Sequence, residues 1–385
     1  MADSHPYPVA RIGIIGGGQL GRMLVAAVNR LGCTAVVLDP TPGSPAGQVA
    51  GHQIVGDYHD AAKLRELVDA SDVTTFDIED IDADALLALE SEGHRIHPSP
   101  SLLAEIQDKV RQKHLLTGAG IPTAGFVETE QPSASAFSDF GYPLVQKARR
   151  GGYDGRGVAI LHGAEHLDRL LPVPSLVERF VPAEKELAVV VARGLDGETV
   201  CYPVVEMTFR PEANILDTLL APARIDADTA RRAQGLGVRT VGALGGVGVF
   251  GIEMFLKADG ELLVNEVAPR THNSGHFTIE ACVTDQFEQH LRAITGLPLG
   301  RTDLLTPAAM INLLGAEGHS GRPVIRGLAE ALAIPGVSVH LYGKAATRPN
   351  RKMGHVTVLG SDLESARESA VRVSRILEIC GEDQP

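Results

Sequence analysis

The sequence predicts a mixture of α/β and α+β structure, and three observations carry that expectation. Strand, glycine turn, helix and strand patterns alternate over residues 11–78. After residue 120, short β-rich runs punctuated by Gly and Pro take over. At 385 residues the chain exceeds one ordinary compact core, so about two to three domains are expected.

Residues 11–15 (Arg-Ile-Gly-Ile-Ile) read as a strand, 16–21 as a glycine turn, 22–31 as an apolar-periodic helix and 34–39 as a second strand. This βαβ unit is extended by a helix at 61–70 and a strand at 73–78, the alternation of a parallel sheet covered on both faces. A first domain is expected over 1–108. A helix at 114–118 and a turn at Gly120-Ile-Pro122 open the second region. Runs at 142–148, 157–161, 175–180, 186–192 and 200–205 then read as strands of a mostly antiparallel α+β domain. A helix at 229–244 precedes strands at 248–256 and 262–267, joined by the hairpin-type turn Ala258-Asp-Gly260. From about residue 304 come strands at 309–314, 337–341 and 355–359. The second and third domains are expected over 109–300 and 301–385.

Composition narrows the classes of function. A net charge of −13 opposes general affinity for nucleic acid, which needs a basic surface. With no Trp and 4% aromatic residues, base-stacking platforms are not expected. No apolar run spans a bilayer, and residues 1–10 lack the basic and apolar regions of a secretion signal, so a cytoplasmic protein without membrane partners is expected. Cys33, Cys201, Cys282 and Cys380 show no CxxC spacing and read as packing residues.

Against that acidic background, local clusters stand out. Gly16-x-Gly18-x-x-Gly21 with Asp39 fits a dinucleotide fingerprint, a different anion site or simply a tight turn, and this segment alone leaves the three open. The stretch from Lys147 to Gly157 holds three arginines, a lysine and four glycines in eleven residues, which suits a loop closing over phosphates. A solvated hairpin is its plainer reading. Glu178-Arg-Phe-Val181 and Glu186 could offer backbone groups to a flat base and a carboxylate to a ribose. Glu253 and Glu266 lie at similar depth on two arms of one hairpin and could converge on a magnesium ion, which favours one or two carboxylates plus phosphate oxygens, or could be two solvent-face residues of an edge hairpin. The loop that follows carries Arg270, His272 and Asn273, a group able to hold a planar oxyanion. Helix capping by Ser274 or Thr278 is its plainer reading. Lys344 and the run 348–355 read as a phosphate clamp or a solvated loop.

Taken in order, these residues resemble an ATP-grasp ligase. More narrowly, Gly-Gly-Gln-Leu-Gly-Arg-Met (17–23), Arg-Arg-Gly-Gly-Tyr-Asp-Gly-Arg-Gly (149–157), Asn-Glu-Val-Ala-Pro-Arg-Thr-His-Asn-Ser-Gly-His (265–276), Phe-Glu-Gln-His-Leu-Arg-Ala-Ile-Thr (287–295) and Arg-Lys-Met-Gly-His (351–355) are similar to the carboxyaminoimidazole ribonucleotide synthetase family. The resemblance covers nearly the whole chain. It implies an ATP-grasp fold with a Rossmann-like N-terminal domain, a lid subdomain over about 120–207 and a small β-rich C-terminal domain.

The resemblance also implies roles. Lys109, Lys147, Gly152, Tyr153, Asp154, Gly155, Arg156, Gly157, Val158, Glu178, Arg179, Phe180, Val181, Glu186, Asn265 and Glu266 would bind ATP. Glu253 and Glu266 would hold magnesium, two ions with ATP as substrate, with manganese able to substitute. Tyr153, Arg270, His272, Asn273 and Lys352 would surround bicarbonate and carboxyphosphate. Gln19, Leu20, Glu79, Lys344, Arg351 and Lys352 would meet aminoimidazole ribonucleotide. A homodimer passing its product to the mutase of the same pathway is implied as well. Two departures are visible: Phe76-Asp-Ile-Glu-Asp80 stands where relatives often carry an aromatic-Glu-aromatic-Glu-Asn run, and Phe209 stands where many carry His. The rivals are a formate-dependent glycinamide ribonucleotide formyltransferase, a nicotinamide oxidoreductase and a non-catalytic nucleotide sensor.

Overall fold

The computed structural model describes residues 10–383 apart from 134–136, 138–139, 153–156 and 211–214. The N-terminal sheet holds β1 (Arg11–Ile15), β2 (Thr34–Asp39), β3 (His52–Val55) and β4 (Val73–Phe76), all parallel in the order β3-β2-β1-β4. Ile12, Ile14 and Ile15 are fully buried, as befits a strand covered on both faces. The first helix, Gln19–Arg30, starts three residues earlier than its apolar period suggests, with Gly18 at its N-cap. Strand β4 stops at Phe76, two residues short of expectation, because Asp77 turns inward to serve the glycine turn.

The lid sheet is antiparallel, with β5 (Phe126–Thr129), β6 (Leu144–Ala148), β7 (Val158–Leu161) and β8 (Ser175–Arg179) in the order β5-β8-β6-β7. The remaining strands of the second region are β9 (Ala183–Arg193), β10 (Thr199–Cys201), β11 (Val205–Arg210), β12 (Ile215–Ala221), β13 (Gly248–Lys257) and β14 (Leu262–Ala268). The C-terminal region adds β15 (Ala308–Leu314), β16 (Ser320–Arg326), β17 (Val337–Leu341), β18 (Lys352–Leu359) and β19 (Glu378–Asp383).

One sheet runs β14-β13-β9-β11-β12-β15-β18-β17, so strands after residue 308 extend the sheet begun at residue 183. In that order β18 lies toward the opposite end from the β13/β14 hairpin, and the loop that follows β14 meets β18 through the stacked rings of His276 and His355, 4.6 Å apart. Helix Ala227–Leu244 packs its buried Ala233, Leu236 and Val241 against Val189, Val191 and Met254 of that sheet. The run expected as one strand at 200–205 divides instead into β10 and the start of β11, with Tyr202 buried between them. The four cysteines are unpaired, Cys33, Cys282 and Cys380 buried and Cys201 partly so. Among the described residues, no helix is long and apolar enough to cross a membrane.

Candidate active site

The glycine turn is already satisfied by protein carboxylates. Asp39 is buried and accepts from the Gly17 N–H at 2.8 Å, the Thr41 N–H at 2.8 Å and the Tyr58 hydroxyl at 2.6 Å. Asp77 accepts from the Gly21 N–H at 2.8 Å. Burial pushes the Asp77 carboxyl up to about 6, against the pull of that N–H and of Arg270. Gly16 adopts φ +103°, and a Cβ there would sit 1.7 Å from Asp77 Oδ1, so only glycine fits. The acid of the dinucleotide fingerprint is therefore turned into the turn itself, and that reading fails. Leu20 packs its side chain into the core, which leaves only its backbone to face a ligand, while Gln19 beside it is partly exposed.

Glu253 and Glu266 are direct register partners on β13 and β14. The register slips just beyond them, so Asn265 is an extra residue in β14. Such a bulge re-aims neighbouring side chains. Here it lets Asn265 Oδ1 accept from Lys147 Nζ at 2.9 Å while Glu266 Oε1 lies 3.3 Å from Lys109 Nζ. The two acids are driven apart electrically. Glu253 is pushed up to about 8, first by its enclosed setting and then by Glu266 and Glu186. Glu266 is held down to about 2, first by Lys109, with Lys147 and His272 helping against burial. Among the described residues no cluster of three or more His, Cys, Asp or Glu forms a ready metal cage. Two facing carboxylates, one retaining its proton beside the other, match a hard divalent cation that takes its remaining ligands from water and phosphate.

Lysines from two elements meet behind this pair. Glu178 is almost fully buried, with Lys113 Nζ 2.6 Å from Oε1 and Lys147 Nζ 2.6 Å from Oε2. Burial alone would raise the Glu178 carboxyl, yet the two ammonium groups take it below its ordinary value. Its side chain thus orients the lid lysine. The adjoining segment is left to offer backbone: the Phe180 N–H donates to Pro143 O at 3.3 Å, and Val181 O accepts from Ala183 N at 2.8 Å. Arg179 is exposed and lies over the Phe140 ring at 4.8 Å. Glu186, partly buried on β9, is raised by burial against the pull of Lys147. Gly152, Gly157 and Val158 flank the lid loop, where Ala148 N donates to Gly157 O at 2.7 Å. Tyr153, Asp154, Gly155 and Arg156 lie outside the described residues.

On the other side, Arg270 and Glu79 form a two-point pair, Nε to Oε1 at 2.7 Å and Nη2 to Oε2 at 3.1 Å. His272 Nε2 lies 3.7 Å from Glu253 Oε1, and its Nδ1 meets Ser274 Oγ at 2.8 Å. Neither Ser274 nor Thr278 is the cap here: His272 accepts from the Ser274 N–H, and Thr278 donates to Gly275 O while accepting from Gln286 N. Both polar atoms of the Asn273 side chain are buried without a partner among the described residues. Buried amides are seldom left so. Lys344 donates to Lys352 O at 2.6 Å, Arg351 to Ala346 O at 2.7 Å, and Gln48 of the N-terminal region to Gly343 O at 2.8 Å. The Lys352 charge is near enough to draw the Glu253 carboxyl downward.

Three participants escaped sequence reasoning. Lys113 lies four residues after Lys109, on the same helix face, so its spacing was the available signal. Asp108 caps that helix and also receives Arg149 Nε at 3.0 and 2.9 Å, tying the lid loop to the helix start. Gln286 had no signal, because a buried glutamine bonded to backbone looks in sequence like any polar helix residue.

A lid sheet, a parallel-sheet domain and a hairpin with paired glutamates facing lysines define an ATP-grasp protein. Accordingly, the ATP-grasp domain family matches residues 114–287, the ribonucleotide synthetase preATP-grasp domain matches 9–107, and the phosphoribosylaminoimidazole carboxylase C-terminal domain matches 308–369. The chain is 40% identical over 380 residues to N5-carboxyaminoimidazole ribonucleotide synthase of Synechococcus elongatus, spanning 96% of this chain and 95% of that one. It is 42% identical over 367 residues to phosphoribosylaminoimidazole carboxylase of Ogataea methanolica, spanning 91% of this chain and 67% of that longer one. Its fold matches the crystal structure of the Thermotoga maritima synthetase with a TM-score of 0.91 at 52% identity, covering 97% and 100% of the two chains. The Aspergillus clavatus synthase solved with ADP and 5-aminoimidazole ribonucleotide matches with a TM-score of 0.87 at 36% identity, covering 95% and 99%. The chain belongs to the N5-carboxyaminoimidazole ribonucleotide synthase family, and is an ATP-grasp ligase of purine biosynthesis that uses ATP with a divalent metal.

Proposed function

We propose that the chain carboxylates 5-aminoimidazole ribonucleotide on its exocyclic amine, using ATP and bicarbonate through carboxyphosphate. The observation that carries this is the in-register Glu253–Glu266 pair facing Lys109, Lys147 and His272. Glu253 and Glu266 would hold magnesium, two ions with ATP, and manganese would substitute. When bound, the cation would offset the phosphate charge that opposes attack by an anion. Lys109 and Lys147 would move from Glu266, Glu178 and Asn265 to the phosphates, while the Gly152–Val158 loop with Tyr153 to Arg156 would cover them. Arg179, Phe180, Val181 and Glu186 would frame the base and ribose, with Val181 N–H and Phe180 C=O as the backbone pair.

Bicarbonate oxygen takes the γ-phosphoryl group, and ADP leaves. Arg270, His272, Asn273 and Lys352 would hold the resulting mixed anhydride by charge-assisted hydrogen bonds. The amine nitrogen then bonds to the carboxyl carbon as the C–O bond to phosphate breaks, phosphate leaves with the electron pair, and the amine loses its surplus proton. Gln19, the Leu20 backbone, Glu79, Lys344 and Arg351 would orient the ribonucleotide. Domain limits at 1–108, 109–300 and 301–385, a homodimer, a cytoplasmic setting and delivery of product to a mutase complete the reading.

Phosphate release from Mg-ATP, with bicarbonate or formate and with or without the ribonucleotide, tests it. Ribonucleotide-stimulated release with bicarbonate, lost in Glu266→Ala, is expected. Stimulation by formate alone would favour a formyltransferase, and ATP binding without release would favour a sensor.

A further inference from the structure

The loop carrying Arg270, His272 and Asn273 is held from behind by a side chain that the reaction does not use. Gln286 is the first residue of helix Gln286–Thr295 and is fully buried. Its Oε1 accepts from His272 N at 2.9 Å, and its Nε2 donates to His272 O at 2.7 Å. One amide thus clasps both backbone groups of one residue, as a neighbouring strand would. Gly275 makes the approach possible: a Cβ there would fall 2.4 Å from Gln286 Oε1. An apolar residue of similar shape would fill the space but leave the partly buried N–H and C=O of His272 without that partner.

The clasp leads into a column of rings. Gln286 Nε2 lies 3.2 Å from His276 Nδ1. His276 stacks on His355 at 4.6 Å and 29°, and His355 stacks on His340 at 4.4 Å and 10°. Phe287 closes the near end, 6.0 Å from His276. His340 and His355 are register partners on β17 and β18, so the column reaches the strand that begins at Lys352. Its middle and far rings are pinned as well: His355 Nδ1 meets the Tyr342 hydroxyl at 3.0 Å, and His340 Nε2 meets Glu280 Oε1 at 2.6 Å. Gln286, His276 and His355 are 0–1% exposed and so act only through what they hold.

We propose that Gln286 and the His276–His355–His340 column are positioning residues that set the separation between the 270–273 loop and Lys352, and thereby couple ATP cleavage to carboxyl transfer. The inference rests on the function proposed above. A loop displaced by about 1 Å would still let ATP be cleaved but would expose the hydrolysable anhydride to water.

The decisive quantity is carboxylated product formed per phosphate released, because unfolding of a fraction of the molecules lowers both together and leaves the ratio unchanged. In Gln286→Met the ratio should fall about fivefold or more while KM for ATP stays within about twofold, with kcat down about 10- to 100-fold. Gln286→Glu keeps the acceptor for the His272 N–H and loses the donor, so an intermediate ratio is expected. His355→Leu removes one ring without touching the clasp and should shift the ratio the same way. A wild-type ratio in folded Gln286→Met and His355→Leu overturns the proposal. Hydrogen exchange over residues 268–276 reads the clasp without activity: it should quicken in Gln286→Met while lid exchange is unchanged, and unchanged loop exchange also overturns it. Should the wild-type protein show no ribonucleotide-stimulated release, the functional reading falls, and the exchange data alone still decide whether Gln286 positions the loop.

Discussion

Replacing Glu253 by Gln should stabilise the metal-free protein while abolishing turnover. Glu253 faces Glu266 in register, and its carboxyl rises from 4.5 to about 8 through its enclosed setting first, then Glu266 and Glu186. A carboxyl raised in the folded state holds protons that the unfolded chain has released. Stability therefore falls as pH rises from 4.5 to about 8, and is untouched below that window. From 4.5 to pH 7, at about 1.36 kcal/mol per unit, the penalty is about 3 kcal/mol. Solvent beside Glu266, whose side chain is 49% exposed, screens part of it and leaves about 2 kcal/mol. Glutamine imitates the protonated acid at every pH. Urea midpoints of metal-free Glu253→Gln and wild type at pH 6, 7 and 8.5 should then diverge, by up to about 1.4 kcal/mol per unit below 8 and no further above it. Magnesium should raise the wild-type midpoint and barely move the variant, whose phosphate release should fall about 100-fold or more. A variant less stable than wild type at pH 8, or a gap independent of pH, refutes the electrostatic account of the pair.

Other substitutions separate the remaining roles. Glu178→Gln leaves Lys113 buried without its counter-charge and should lower stability by about 3–5 kcal/mol, read as a drop in thermal midpoint. In the wild type that contribution is present at neutral pH and lost as acid protonates Glu178 below its ordinary value of 4.5, so the gap should close on acidification. Asp39→Ala strands the Gly17 and Thr41 amides and the Tyr58 hydroxyl, and should cost about 2–4 kcal/mol. NADH should leave the wild-type melting temperature unmoved where Mg-ATP raises it; a shift with NADH would restore the dinucleotide reading. Glu79→Gln removes the two-point partner of Arg270 and should raise KM for the ribonucleotide about tenfold, near 1.4 kcal/mol, with KM for ATP unchanged in steady-state assays.

The parts of this fold legible in the sequence were those whose signal is local. The glycine turn after a buried apolar strand announced the βαβ unit, and Asp259-Gly260 announced the hairpin that puts Glu253 opposite Glu266. What stayed hidden depends on partners distant in the chain. Asp39 could be read as a ribose ligand because its three donors come from separate segments. Glu178 could be read as an ATP-binding side chain because Lys113 and Lys147, which occupy its carboxylate, reach it from a helix and a different strand. The bulge at Asn265 is likewise invisible to counting, since it exists only relative to β13.

The charged groups of the candidate site are already paired among themselves: Lys109 with Glu266, Lys147 with Glu178, and Arg270 with Glu79, while the neutral Asn265 amide also accepts from Lys147. Binding of Mg-ATP is then an exchange of partners. The cation would take the carboxylates while phosphate oxygens take the ammonium groups, so no charge is stripped bare at an intermediate stage. Such a site discriminates by charge pattern as well as by shape. A nucleotide without the cation would leave Glu253 and Glu266 facing each other beside added phosphate charge, and the cation without nucleotide would leave Lys109 unpaired. Each alone should bind weakly and the two together strongly, a coupling that calorimetric titration of ADP with and without Mg²⁺ would expose. Equal ADP affinity in both titrations would mean that the lysine–carboxylate pairs are structural and do not exchange.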